Sequence, residues 1–193
     1  LKFTESATLK IRSILPSGKM SPTRTITVEK QALAPAKEVA DVKPGLNMKM
    51  TYGYYLNVDE LAKATEWTEK TIEKLRDIRS QEPTWENMRG VKYYSAIATG
   101  YVEIPEDGVY YISSDNEEVW IDGKLLVNNG GEVKRYSRKD SSAALAKGLH
   151  EIKVVFLSHI IGGWPSAWND GSVKLRKADA EKFTPIKPEM LFY

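Results

Sequence analysis

Apolar and polar residues alternate with a period of two along much of this chain, in short runs that stop at Gly, Pro, Asn and Asp. That period sends successive side chains to opposite faces of an extended strand. The pattern is densest between Gly100 and Gly131. Tyr101, Val102 and Ile104 mark one run, Val109–Ile112 a second, Glu118–Ile121 a third and Lys124–Val127 a fourth. Between them stand Pro105-Glu106-Asp107-Gly108, Ser113-Ser114-Asp115-Asn116 and Asp122-Gly123. An Asp-Gly pair between β-branched and aromatic residues is a strong hairpin signal, so the stretch predicts four short strands.

Residues 4–29 predict a hairpin of their own. Leu9, Ile11 and Ile14 alternate with Lys10 and Arg12, Pro16-Ser17-Gly18-Lys19 forms a turn, and Thr23–Val28 alternates again. Two strands alone cannot bury a stable core, so they either join the domain that follows or are the last strands of another β-sandwich. Gln31–Gly45 is rich in Ala and Pro and reads as a stiff, extended linker. Asn47–Leu56 is β-rich, with Gly53 inside it. Asn57 or Asp59 can cap a helix over Glu60–Thr65. In Thr71–Ile78, the steps of three between Ile72, Leu75 and Ile78 suit a helix, but a strand over Thr71–Leu75 followed by an irregular loop suits the run equally. Pro83–Gly90, with Trp85, reads as loop. Lys147-Gly148-Leu149-His150 turns into a strand over Glu151–Leu157, with Ile152, Val154 and Phe156 on one face. Ile161–Trp168 is a loop rich in Gly and Trp, Ser172–Leu175 a last strand, and Thr184–Pro188 an extended close. The whole predicts a mainly β protein. An antiparallel β-sandwich covers residues 44–193, a two-stranded remnant of another β-sandwich covers 1–31, and a linker joins them over 32–43.

Composition removes several functions. The 28 basic and 26 acidic residues leave a net charge of +2 with no basic run, so no nucleic-acid surface is expected. There is no Cys, hence no disulfide, thiolate metal site or cysteine nucleophile. No apolar stretch approaches the ~20 residues of a membrane-spanning helix, and no membrane insertion is expected. His150 and His159 lack the spacing of a transition-metal site. Ten Tyr and five Trp suit strand faces and core, and one or two of them can line a sugar-binding surface.

Gly-Tyr-Val-x-Ile-Pro-x-Asp-Gly-Val-Tyr-x-Ile-Ser-Ser-Asp, followed by Val-Trp-Ile-Asp-Gly-Lys-Leu-Leu-Val, occupies residues 100–127. With Lys147–Val154, it resembles the protective-antigen-type β-sandwich, the PA-fourteen domain, over roughly residues 44–180. That family is extracellular, often attached to glycosidases, adhesins and toxins, and often implicated in carbohydrate binding. A second resemblance lies in Thr8–Arg12 and Leu15–Ile26. These look like the last strands of the small β-domain that follows the barrel in bacterial, Bacteroidetes-like β-N-acetylhexosaminidases of glycoside hydrolase family twenty. Together the two imply the C-terminal part of such an enzyme, located in the periplasm, at the cell surface or secreted.

The resemblance also implies site residues. Its sugar-binding branch uses two adjacent Asp residues to hold Ca²⁺, and the matching positions are Asp115 and Asn116. Asn can supply one neutral oxygen to calcium, at a cost in charge. The plain alternative is a polar turn whose side chains bond backbone amides, and a third is direct sugar binding without metal. Asn128 and Asn129 can offer amides to sugar hydroxyls or form a loop tolerant of positive φ. Trp120, Trp164 and Trp168 can stack on pyranose rings or plug the sandwich. Asp59-Glu60 echoes the acidic pair of family-twenty enzymes, but Leu56-Asn57-Val58 precedes it, and the pair reads as a helix start. The expected function is therefore a non-catalytic accessory region that binds glycans beside its own catalytic domain. The alternative is a structural or protein-interaction module that spaces that domain and binds no sugar.

Overall fold

The computed structural model describes residues 3–79, 93–129, 139–158, 160–161, 164–165 and 171–193, with the backbone alone for 139–140, 160–161 and 164–165. The chain divides into two compact units, Leu1–Ala32 and Leu33–Tyr193.

The first unit is the expected hairpin. Strands β1 (Ala7–Ile11) and β2 (Arg24–Val28) pair antiparallel from Ala7↔Val28 to Ile11↔Arg24. Gly18, at φ 81, closes the turn. Leu9 lies opposite Ile26 on a face shared with Ile11, while Thr8, Lys10, Thr25 and Thr27 share the other. The apolar face has no core beneath it within the unit: Ile11 is 48% and Ile26 46% exposed.

The second unit begins with β3 (Leu46–Tyr52), one turn of helix α1 (Val58–Leu61) and β4 (Thr68–Ile72), then a 3₁₀ turn over Leu75–Arg79. There follow β5 (Tyr94–Ile104), β6 (Gly108–Ser114), β7 (Glu118–Ile121), β8 (Lys124–Asn128), β9 (Lys139–Leu145) and β10 (Gly148–Leu157). The last are β11 (Ile160–Ile161), β12 (Trp164–Pro165), β13 (Lys174–Lys177), β14 (Thr184–Pro185), a 3₁₀ turn over Pro188–Met190, and β15 (Leu191–Phe192). Among the described residues, one sheet runs β4-β3-β5-β10-β7-β8, and a four-stranded sheet runs β14-β13-β6-β9. β15 joins the larger sheet beside Val102 and Tyr101, in line with β3, because β10 holds the other edge of β5. A side chain at Gly100 would put its Cβ 2.3 Å from the Phe192 carbonyl oxygen, so the glycine makes room for β15.

Inward alternation builds one core between the sheets. Met48, Met50, Ala96, Ala98, Val102, Val119, Val154 and Phe156 enter from the larger sheet, and Tyr110, Ile112, Leu145 and Leu175 from the smaller. These are the strand-face positions that the period-two pattern selects. On the outer face of the larger sheet, Leu61, Val155 and Leu157 form a second cluster with Tyr55, Val58, Trp67 and Ile97. The segment from Tyr55 to Trp67 therefore covers one end of that face.

The structure redraws several boundaries. The β-run after Asn47 stops at Tyr52, because Gly53 takes φ 149 and donates its N–H to Tyr93. The helix is capped by Asn57, whose Oδ1 accepts from Glu60 N–H, and Glu60 reaches back to the Leu56 N–H. It ends at Leu61, well short of Thr65. The strand expected over Thr71–Leu75 lies earlier, at Thr68–Ile72, and shares only Thr71 and Ile72 with that expectation, while Leu75 and Ile78 belong to the 3₁₀ turn after it. Residues 33–43 do not behave as a free spacer. Ala34 bonds Ala144 and Ala146, Lys37 bonds the Leu149 carbonyl, and Lys43 exchanges both backbone bonds with Tyr193.

Candidate functional site

The Asp115–Asn116 turn lies between β6 and β7, as its Ser-Ser-Asp-Asn sequence predicts, but it is closed. Asn116 is 0% exposed. Its Oδ1 accepts from Arg79 Nε at 3.0 Å, and its Nδ2 donates to Ser114 Oγ at 3.0 Å and to the Gly171 carbonyl at 2.9 Å. Arg79 Nη2 donates to the Asp115 carbonyl at 2.8 Å and lies 3.5 Å from Asp115 Oδ1. Arg79 is only 4% exposed, and its guanidinium carbon stands 4.9 Å from the centroid of the Phe156 ring. Gly171 admits it: a Cβ there would lie 2.4 Å from Arg79 Cδ.

A calcium ion held by Asp115 and Asn116 would share their oxygens with this guanidinium. The residues do not fit the metal, because a fixed positive charge already sits where the ion's would. Among the described residues no cluster of three or more His, Asp or Glu side chains can hold a metal ion.

Glu117, next in the turn, is also buried. Its Oε2 accepts from Leu157 N–H at 2.8 Å, and its Oε1 has no partner among the described residues. Desolvation pushes its carboxyl up to about 7 from an ordinary 4.5, against the opposing pull of the Leu157 N–H and Arg79. Asn129 belongs to the same buried knot. Its Nδ2 donates to the Ser114 and Asn116 carbonyls and its N–H to the Glu117 carbonyl. Its amide nitrogens hold backbone and do not reach outward as the sugar-contact reading requires. Asn128 ends β8 as an exposed residue opposite Glu118.

Asp122 starts the expected turn, with φ 48 followed by Gly123 at φ 74. Its carboxylate does more than turn the chain. Oδ1 accepts from Glu151 N–H at 3.0 Å, and Oδ2 lies 2.7 Å from Nδ1 of the buried His150. His150 Nε2 faces the Ala146 carbonyl at 2.8 Å, which can only accept. Nε2 is therefore the donor to that carbonyl. The pair pins the β7–β8 turn to the start of β10.

Trp120 occupies a different place. It is half-buried on the outer face of the larger sheet. Its Nε1–H donates to Glu118 Oε2 at 2.7 Å, and Lys153 Nζ stands 4.1 Å from its ring centroid. It borders a hollow of about 730 Å³ that is also lined by Asp41, Asn47, Thr99, Tyr101, Lys153 and Tyr193. An adjoining hollow of about 460 Å³ shares Asn47 and Thr99 and reaches Lys49 and Glu69. Trp164 contributes backbone to the β11–β12 pair; its side chain and all of Trp168 lie outside the described residues. Of the predicted sugar-binding residues, the structure thus buries Asn116 and Asn129 and sets Trp120 beside an open hollow.

Sequence reading missed Arg79, which carries no motif. It also missed Asn47, Thr99, Tyr101 and Lys153. Their signal was present as the outward half of the same alternation that marked the core.

A family model described as the PA14 domain matches residues 43–187. The chain belongs to the PA14 domain family. All of it, aligned over 192 residues, is 43% identical to a Beta-hexosaminidase from Porphyromonas gingivalis, and it spans 25% of that protein's length. Among solved structures, an anti-sigma factor domain-containing protein matches at TM-score 0.55 and 13% identity, over 88% of this chain and 55% of that one. The Epithelial Adhesin 9 A domain from Candida glabrata, solved in complex with Galb1-3GlcNAc, matches at TM-score 0.50 and 10% identity, over 81% of this chain and 92% of that one. At such identities the structural matches establish a shared fold.

Proposed function

We propose that this chain is a non-catalytic accessory region of a glycoside hydrolase of the β-N-acetylhexosaminidase type, and that it binds N-acetylhexosamine-containing glycans without calcium. The observation that carries the reading is the match, along the whole chain, to a quarter of a β-hexosaminidase, in a chain whose PA14 domain supplies no free acidic pair from Asp59-Glu60. There Glu60 is held in the helix cap. Carbohydrate is the ligand class of one protein with this fold. The parent protein, on this reading, acts in the periplasm, at the cell surface or outside the cell, with its catalytic domain as this region's partner.

The test is binding of the purified chain to a glycan array with calcium and with chelator, beside a hexosaminidase assay. The expected result is binding to N-acetylhexosamine glycans in both conditions and no hydrolysis. Hydrolysis, or binding that disappears with chelator, overturns the reading. A second reading has its own observation: the apolar face of the β1–β2 hairpin, with Ile11 and Ile26 exposed beside Leu9, suits a module that packs against other protein. No binding at high module density favours it.

A further inference from the structure

We infer that the groove across the outer face of the larger sheet is a metal-free site for a neutral saccharide chain bearing N-acetylhexosamine units. This rests on the glycan-binding reading and says where on the domain the chain lies. The groove shares no residue with the Asp115–Asn116 turn.

Its floor is one cross-strand row. Asn47 pairs with Thr99, Thr99 with Lys153, and Lys153 with Trp120, each on the next strand of the series β3-β5-β10-β7. Three inter-strand spacings make a floor about 14 Å long, enough for more than one sugar ring. The two hollows meet at Asn47 and Thr99, so the groove is continuous along the row. One wall is the segment Val39–Val42, held in place by the backbone pairing of Lys43 with Tyr193.

The chemistry along this floor suits a pyranose chain. Its hydroxyls and acetamide need hydrogen-bonding partners at intervals, and its C–H faces need flat apolar surface. Trp120 supplies the surface with the ring face turned away from Lys153, and its indole is fixed by Glu118 before any ligand arrives, so little side-chain freedom is lost on binding. Asn47 offers an amide, Thr99 a hydroxyl and Lys153 an ammonium along the same line. Tyr101 and Tyr193 add aromatic lining. The charges in the larger hollow, Asp41 and Glu151 against Lys153, do not form a field of one sign. That balance favours an uncharged ligand over a phosphate or a polyanion. At the far end Lys49 lies 4.5 Å from the Trp67 ring centroid, so both ends carry a lysine over an indole.

The experiment titrates the full chain with N-acetylglucosamine oligomers from dimer to hexamer, in chelator, by calorimetry. The variants are Trp120→Ala, Asn47→Ala and Arg79→Lys. The expected result is wild-type binding that strengthens with oligomer length. Affinity should fall roughly ten-fold or more in Trp120→Ala, a change equivalent to about 1.4 kcal/mol, and measurably in Asn47→Ala. Arg79→Lys should bind like wild type at a temperature where it is folded. Wild-type binding that both groove variants leave unchanged, with circular dichroism showing them folded, overturns this site while leaving the glycan-binding reading intact. Wild type that binds no oligomer of any length overturns both.

Discussion

Two polar regions of the PA14 domain contrast sharply. Around Asp115–Asn116, nearly every polar atom turns inward: Asn116, Asn129, Glu117 and Arg79 are buried and bond one another or backbone. Along the groove, Asn47, Thr99, Lys153 and Trp120 stand on an outward face beside open volume. The acidic turn looks like a binding site in sequence and is built as a strut. The groove has no motif and is built like a site. What separates them is burial: a desolvated polar group either bonds inside the protein or, like Glu117 Oε1, is held at a cost, whereas a half-exposed one can exchange water for ligand.

The largest effect expected from this contrast is on stability at the turn. Arg79→Ala removes the cation from a buried network and leaves Asn116 Oδ1 without its donor, a loss of about 3–5 kcal/mol. Chemical denaturation of wild type and variant measures it. A midpoint that barely moves would mean the turn is not held by the guanidinium.

A smaller effect concerns Glu117. Its carboxyl, raised to about 7 from 4.5, stays protonated in the folded chain where the unfolded chain has lost its proton. Its contribution to stability is therefore full below about pH 4.5, declines as pH rises, and is lost above about 7. The span is roughly 3 kcal/mol at most. Glu117→Gln should flatten this part of the stability profile and raise stability at alkaline pH. Unfolding curves across that range decide it, and a slope that persists in the variant rules out Glu117 as its source.

On the groove side, Trp120→Ala should cost only about 1 kcal/mol of stability, because the indole is half-buried and outside the core. A loss as large as that of Arg79→Ala would make Trp120 a structural residue and erase the contrast. Smallest of all is calcium. Millimolar Ca²⁺ should leave the melting temperature of wild type unchanged, since a ligand that binds the folded state must raise it. A clear upward shift would show that a cation does enter the fold.

Much of this was legible in the chain. The strands from Tyr101 to Val127 and the Glu151–Leu157 face were readable because alternation, Asp-Gly and Pro-Glu-Asp-Gly are local signals. Asn57 was visible as a helix cap, and the Asp59-Glu60 pair as a helix start. The strand β9 was not anticipated, nor that β5 starts as early as Tyr94. The start of β5 carries the small residues Ser95 and Ala96, buried because β3 and β10 flank the strand on both sides rather than by their own hydrophobicity.

The sequence by itself determined the class of fold, the PA14 signature and the inventory of polar side chains, because these follow from periodicity and turn chemistry within a few residues. Only the tertiary structure decided which polar residues face water. Arg79 and Asn116 are 37 residues apart, and Asn47 and Trp120 come from opposite ends of a four-strand row. Burial and cross-strand register arise from long-range packing, and no local pattern encodes them.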